Sequence, residues 1–268
     1  MNYDYKEKIN KRIQEHYNEA LNLYPKDRIV CVCLQGSQNY GLETINSDID
    51  TKCIITPSFT DLVFAKPPFS TTHIMENNEH LDIKDVRSYI SCFRKQNLNF
   101  LEILFTDYYI LNDLYKDEWM RLVEHREEIA HYDFLRAVTS MRGIAMNKFV
   151  ALKKDLPSTH DDIQKYGYCM KQLHHLVRID EYLERYISGE SYEKCLRPHD
   201  PEYLISLKTE PRDLRTAEFL AQVAMDHIDN MYAAIKVTHD FNPNKEVDEL
   251  LNDVQYNIMK IAISEELK

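Results

Sequence analysis

The stretch from Ile29 to Asp50 reads IVCVCLQGSQNYGLETINSDID and decides the fold of this chain. Its first six residues are apolar at both parities, which predicts a strand covered on both faces. The Gly36-Ser37 turn that follows can present backbone N–H groups to a phosphate. Asp48 and Asp50 stand at i and i+2 of a second predicted strand, 48 to 55, so their carboxylates should share a face about 7 Å apart. A phosphate-binding turn beside paired carboxylates is what metal-assisted phosphoryl chemistry requires.

A third carboxylate is needed for a two-metal site, and Asp82 is the best candidate. It lies in the strand-like run Glu79-His-Leu-Asp-Ile83, which could pair beside the strand that carries Asp50. A carboxylate on an inner strand is costly unless a cation offsets it. Mg²⁺ is such a cation, because it prefers carboxylates together with substrate phosphates. The alternative is an edge strand on which Asp82 faces solvent.

A basic triplet marks the second half of the chain. Lys171, His175 and Arg178 are spaced at i, i+4 and i+7, which aligns them on one helix face. Such a stripe can neutralise a triphosphate whose leaving group gains charge during transfer. The alternative is a solvated helix face that forms ion pairs with acids of the same helix.

Composition and periodicity indicate an α+β fold. The chain has 268 residues, 44% of them hydrophobic, with only 5 Gly and 9 Pro, which favours a helix-rich protein over a fold of many turns. Strand-like segments occur only before about residue 125. We therefore predict a small mixed sheet with flanking helices in a domain of residues 1–128. An all-helical domain of residues 129–268 should follow.

Charge and hydropathy exclude several classes of protein. The net charge of −11 argues against extensive DNA binding, because phosphate contacts dominate that affinity. The N-terminus is charged and no apolar run approaches 18 residues, so neither a signal peptide nor a membrane span is expected. The six cysteines include no C-x-x-C pair, which is typical of reduced thiols in a cytoplasmic protein.

These motifs together resemble the DNA polymerase β-type nucleotidyltransferase superfamily. The chain is most similar there to the RNA-ligase-associated predicted nucleotidyltransferases of phages and bacteria. Four pieces of the sequence carry the resemblance: Gly36-Ser-Gln-Asn-Tyr-Gly-Leu42, Ser47-Asp-Ile-Asp-Thr-Lys52, the run Asn97-x-Asn-x-x-Glu102, and the basic triplet. Gln38 departs from the pattern, which often has Arg at that position.

The resemblance implies a role for each matched residue. Gly36 and Ser37, with Ser47 of the second motif, would bind the phosphates of an NTP. Asp48, Asp50 and Asp82 would be the catalytic acids and would ligate Mg²⁺ or Mn²⁺. The remaining phosphate-binding residues would be those of the basic triplet, Lys171, His175 and Arg178.

The implied reaction moves an NMP from an NTP to an acceptor hydroxyl and releases pyrophosphate. The acceptor stays open among an RNA end, a tRNA, a protein and a small molecule. The implied location is the cytoplasm of a bacterial or phage-infected cell. Two other functions remain: a non-catalytic nucleotide-binding or antitoxin-like module of the same fold, and a phosphohydrolase. Glu102 is either catalytic or a structural acid, and Tyr40 either stacks on a base or packs as an aromatic.

Overall fold

The computed structural model of the chain describes residues 3–268, which form two compact units. Unit 1 comprises residues up to 39, residues 45–132 and residues 243–268. Unit 2 comprises residues 40–44 and 133–242. The C-terminal helix therefore belongs to unit 1, although the sequence prediction places it in the second domain.

Strands are confined to the first half of the described chain, as the sequence predicts. They are β1 (Ile29–Gln35), β2 (Asp50–Ile55), β3 (Ser70–Ile74), β4 (His80–Asp85) and β5 (Tyr109–Leu111). The helices are α1 (Tyr3–Leu23), α2 (Phe59–Val63), α3 (Val86–Arg94), α4 (Leu98–Leu101), α5 (Lys116–Glu124), α6 (Arg126–Ala130), α7 (Phe134–Ala151), α8 (His160–Tyr166), α9 (Met170–Ile187), α10 (Tyr192–Leu196), α11 (Pro201–Thr209), α12 (Leu214–Thr238) and α13 (Lys245–Glu266). This is the predicted α+β class.

The sheet of unit 1 is mixed. Among the described residues its strands lie in the order β3-β4-β2-β1-β5. β2 and β4 run parallel, whereas the other neighbouring pairs are antiparallel. The parallel pair places Lys52 level with Asp82. This register decides which polar side chains share a face of the sheet.

Helix α1 covers one face of the sheet. Ile9, Ile13 and Ala20 of this helix pack in a cluster with Val32 of β1 and Leu81 of β4. Because these apolar positions are four and seven residues apart, they lie on one stripe of the helix, which is the stripe that it buries.

The opposite face carries α3 and the ring of Phe100. Tyr89 of α3 packs edge-on against Phe100, with ring centroids 5.5 Å apart. Asp85 caps α3 by accepting a hydrogen bond from the N–H of Arg87. The C-terminal helix α13 joins the same unit because it packs on α3 and α5. Arg94 Nε donates to the Asp248 carboxylate of α13 at 2.7 Å.

Unit 2 is helical. α9 packs against α7, α11 and α12, and buries Leu173, Leu176 and Leu183. Its N-terminal half carries the complete basic triplet, so the predicted alignment on one helix is confirmed. Of the helices described, none combines the length and the apolar character that crossing a membrane requires.

Candidate functional site

The Gly36-Ser37 turn lies beside Asp50 in unit 1. β1 ends at Gln35, whose register partner is Asp50 at the start of β2, so the turn begins one residue beyond that pair. Gly36 has φ +98°, a left-handed conformation that glycine adopts readily and other residues rarely do. A short 3₁₀ turn from Ser37 to Asn39 follows. The sequence thus correctly places a tight glycine turn next to an acid.

Asp48 is not part of the neighbouring strand. The sequence predicts a strand from residue 48, but β2 begins at Asp50, and Ser47 and Asp48 precede it in irregular backbone. The side chain of Gln38 donates its Nε2 hydrogen to the Asp48 carbonyl at 2.6 Å. The buried Gln38 side chain therefore gives the Asp48 carbonyl the hydrogen-bond donor that a neighbouring strand would otherwise provide. The prediction that strand pleating aligns Asp48 with Asp50 is wrong, and the Asp48 residue is exposed.

Asp82 lies on the same sheet face as Asp50. It pairs in register with Lys52, which is two residues along the strand from Asp50, and residues directly opposite one another or two apart share a face. Asp82 is also on an inner strand, because β4 lies between β2 and β3. The alternative of an edge strand is therefore wrong.

Two lysines surround the Asp82 carboxylate. Lys52 Nζ lies 3.1 Å from its Oδ2, and Lys84 Nζ lies 3.2 Å from its Oδ1. Both ammonium groups also lie over the Phe100 ring, at 4.4 Å and 5.5 Å from its centroid. The expected cation beside an inner-strand acid is therefore present as protein ammonium groups. Lys52 could have been identified from the sequence, since it is at i+2 from Asp50.

Asp50 has hydrogen-bond partners from β4. Its Oδ1 accepts the backbone N–H of His80 at 2.8 Å, and His80 Nδ1 lies 3.3 Å from the same oxygen. The other carboxylate oxygen is not used by these contacts. About a third of the Asp50 side chain is exposed, so it is accessible to a ligand.

The donor set partly fits a divalent metal ion. Asp50 and Asp82 share a face and supply the carboxylate oxygens that Mg²⁺ prefers. However, no three His, Cys, Asp or Glu side chains of residues 3–268 converge on one point. The structure therefore brings Asp50 near Asp82 without gathering a third acid at the same place.

Glu102 contacts the Gly36-Ser37 turn directly. Its Oε1 accepts the backbone N–H of Gly36 at 3.2 Å, and its side chain is buried. The Gly36 N–H is thereby directed at a carboxylate of the same unit. This hydrogen bond fits the structural alternative for Glu102, because it fixes the turn.

In unit 2, Arg178 stacks on Tyr40. The guanidinium carbon lies 3.7 Å from the centroid of the Tyr40 ring, and both residues are at least nine-tenths buried. Tyr40 thus presents a ring face to Arg178, which corresponds to the packing alternative for this aromatic. The other two members of the triplet are less buried: His175 is half-buried and Lys171 is exposed.

Two further lysines lie near the triplet. Burial, and next the charge of Lys171, lowers the pKa of Lys148 on α7 and that of Lys208 on α11. Sequence reasoning missed both, because they belong to other helices and have no periodic relation to α9. Lys148, Lys171, Arg178 and Lys208 are called the cationic cluster below.

The two histidines of α9 have lowered pKa values. Burial lowers the pKa of His174 to about 4, although its Nδ1 lies 2.7 Å from the Leu204 carbonyl. Burial, together with the charges of His174 and Lys148, lowers the pKa of His175 as well. The lowered pKa of His175 favours its neutral form, which can still donate a hydrogen bond to an anion.

Comparison with known proteins identifies a family and a similar solved structure. A family model described as the RNA repair pathway DNA polymerase beta family matches residues 5–184, a span that includes the sheet acids and the basic triplet. Among solved structures, a nucleotidyltransferase-like protein from Exiguobacterium sibiricum 255-15 is similar at 12% identity, with a TM-score of 0.30. The match covers 84% of this chain and 74% of that one. No curated protein matches the chain.

Proposed function

The chain belongs to the RNA repair pathway DNA polymerase beta family, and from this premise we propose that it is a metal-dependent nucleotidyltransferase. It moves an NMP from an NTP to an acceptor hydroxyl and releases pyrophosphate. The observation that carries the proposal is the placement of Asp50 and Asp82 on one sheet face beside the Gly36-Ser37 turn. Acids and a phosphate-binding turn at one edge are what this chemistry requires.

In the proposed site the chain's own residues orient the substrate. Ser37 and Ser47 offer hydroxyl groups to the phosphates, and the Gly36 turn lets the backbone approach them closely. Asp82 accepts the proton of the acceptor hydroxyl as general base. Lys52 and Lys84 contact the two oxygens of that carboxylate and would hold its orientation toward the acceptor.

Mg²⁺ or Mn²⁺ would be held by the carboxylates of Asp50 and Asp82, which share a sheet face. Asp48 is the proposed third ligand, although the three carboxylates do not converge in the described residues. When bound, the ion neutralises charge on the phosphoryl group and on the leaving pyrophosphate. The residue types support this assignment, because hard oxygen donors suit both metals. In unit 2 we propose Lys171, His175 and Arg178 as the residues that bind phosphate.

An RNA hydroxyl, at an RNA end or on a tRNA, is the first acceptor to test, because the description of the family refers to RNA repair. With a net charge of −11, contact with a long nucleic-acid backbone is disfavoured. The proposal is therefore restricted to recognition of a terminus or a short segment.

The deciding experiment incubates the full chain with each α-labelled NTP, Mg²⁺ and pools of RNA, protein and small molecules. A labelled acceptor together with released pyrophosphate is the expected result. Released NMP with no labelled acceptor would indicate a phosphohydrolase instead. Binding of the NTP without release of pyrophosphate would indicate a non-catalytic nucleotide-binding or antitoxin-like module. The lysine contacts of Asp82 favour this alternative.

A further inference from the structure

Arg178 has an unused binding edge inside unit 2. Its Nε and Nη2 atoms are buried and have no hydrogen-bond partner within residues 3–268. A buried guanidinium without partners is costly, because its donors lose water and gain nothing in return. The ring of Tyr40 covers one face of the guanidinium plane but accepts no N–H of that edge. The two donors are therefore directed at a group that the chain does not supply.

Other arginines of the chain show that this edge, formed by Nε and Nη2, binds oxygen acceptors. Nε and Nη2 of Arg12 both donate to Glu79, at 2.9 Å and 2.6 Å. The same two atoms of Arg87 contact Asp85, and those of Arg185 contact Glu190. The same atoms of Arg28 donate instead to the Thr56 carbonyl, at 3.0 Å and 2.8 Å. This edge therefore binds oxygen acceptors, most often carboxylates. The charge around Arg178 decides which kind of acceptor its missing partner is.

The surroundings of Arg178 call for more than one negative charge. Besides burial, the charge of Lys171 lowers the pKa of both Lys148 and Lys208, and the charge of Arg178 also lowers that of Lys208. One acid, Glu43, acts on Lys208 in the opposite direction. Lys208 Nζ is positioned by the Leu42 carbonyl at 2.5 Å, and an ammonium group keeps further donors for a ligand. A single carboxylate would leave most of this charge unbalanced.

We propose that the cationic cluster is a metal-independent binding site for a polyphosphate anion. The fork of Arg178 binds one phosphate group, the three lysines bind its neighbours, and Tyr40 holds the guanidinium in place. The role of Lys148 and Lys208 as phosphate-binding residues is new. Identifying the anion as the triphosphate of an NTP rests on the proposed function. The affinity of the site for a polyphosphate does not rest on it.

Titration calorimetry on the full chain in EDTA tests the site directly. Inorganic triphosphate, pyrophosphate, orthophosphate and ATP are the probes. We expect triphosphate to bind more tightly than pyrophosphate, and pyrophosphate more tightly than orthophosphate, because each added phosphate reaches another cation. ATP that binds as tightly as triphosphate would identify the nucleotide tail as a ligand; ATP binding far more weakly would restrict the site to free polyphosphates.

Variants separate the site from general charge. Lys148→Gln, Lys208→Gln and Arg178→Lys should each weaken triphosphate binding about 10-fold or more, since each removes a charge-assisted hydrogen bond. Lys153→Gln is the matched control: its exposed ammonium group pairs with Glu218 at 2.7 Å, and its loss should leave the affinity unchanged. Thermal melting confirms that each variant is folded.

Two results would overturn the site. One is the absence of triphosphate binding to the wild-type chain at millimolar concentration. The other is an equal affinity in Lys208→Gln and Lys153→Gln. Asp50→Asn distinguishes this outcome from a failure of the proposed function. If the wild-type protein shows no nucleotidyl transfer but Asp50→Asn binds polyphosphate as tightly as the wild type does, the proposed reaction is refuted and the anion site is retained.

Discussion

Lys52 Nζ lies 3.1 Å from Asp82 Oδ2, so an ammonium group occupies the side of the carboxylate that faces β2. The pair is level in the parallel ladder, and both side chains are largely buried. In this region of low dielectric, each charge depends on the other for compensation. A divalent ion at Asp82 must therefore compete with Lys52.

Removing the Lys52 charge should destabilise the fold. Lys52→Met leaves the Asp82 carboxylate with Lys84 as its remaining ammonium partner, and we expect the free energy of unfolding to fall by about 1–3 kcal/mol. Lys66→Met is the control, because Lys66 pairs with Asp61 while more than half exposed. It should cost less than about 1 kcal/mol. Urea unfolding measures both, and equal losses would show that burial does not strengthen the Lys52 pair.

Neutralising Asp50 should abolish nucleotidyl transfer without unfolding the protein. Asp50→Asn keeps the size of the side chain and an oxygen for the His80 N–H, but loses the charge proposed to bind Mg²⁺. We expect transfer to fall at least about 100-fold. Asp48→Asn should do the same. The exposed Asp226, which accepts a hydrogen bond from Gln222, provides the control variant Asp226→Asn. Full activity in Asp50→Asn would remove the metal assignment.

Glu102 should act by positioning the Gly36 turn. Glu102→Ala removes the acceptor of the Gly36 N–H, and we expect KM for the NTP to rise about 10-fold with a smaller change in kcat. Glu102→Gln retains an oxygen acceptor, so its KM should stay within about 3-fold of wild type. If the Gln and Ala variants lose activity equally, the negative charge of Glu102 is required and the hydrogen bond to Gly36 is not the reason.

The sheet and its acids were largely predictable, because burial and alternation are local properties of the sequence. The apolar run of β1 and the turn at Gly36 follow from such patterns, whereas the shared face of Asp50 and Asp82 also depends on the register between β2 and β4. The position of Asp48 was not predictable in this way. A buried Gln38 side chain ten residues upstream satisfies the Asp48 carbonyl, and a side chain that replaces a ladder hydrogen bond has no periodic signature.

The cationic cluster was only half predictable. Lys171 and Arg178 share a helix, so their spacing aligns them. Lys148 and Lys208 come from α7 and α11, and Tyr40 comes from the short segment that joins unit 2 from the first half of the chain. Contacts between distant segments depend on tertiary packing and leave no trace in local spacing.

His174 should make the protein sensitive to acid. Burial lowers its pKa to about 4, below the value of about 6.5 expected in the unfolded chain. Between these values the unfolded state binds more protons, so stability rises with pH across the window and is lost as pH falls from 6.5 to 4. The size of the effect is about 3 kcal/mol.

His174→Gln removes this titration and should flatten the pH dependence of unfolding measured in urea at pH 7, 5.5 and 4.5. Burial raises the pKa of Asp180 to about 6, which acts in the opposite direction between pH 4 and 6, so the difference between variant and wild type is the informative quantity. His160→Gln, at an exposed histidine paired with Asp155, should keep the wild-type profile. An unchanged profile in His174→Gln would contradict the assignment.

Tyr40 should contribute to polyphosphate binding through its ring and not through its hydroxyl group. Its ring face holds the Arg178 guanidinium at 3.7 Å, an interaction that is strongest when desolvated. Tyr40→Phe keeps the ring, so triphosphate affinity should stay within about 3-fold of wild type. Tyr40→Leu removes the ring face and frees the guanidinium to rotate, and affinity should fall about 10-fold. Calorimetry in EDTA measures both variants, and a loss in Tyr40→Phe as large as that in Tyr40→Leu would show that the hydroxyl group binds the anion or its water.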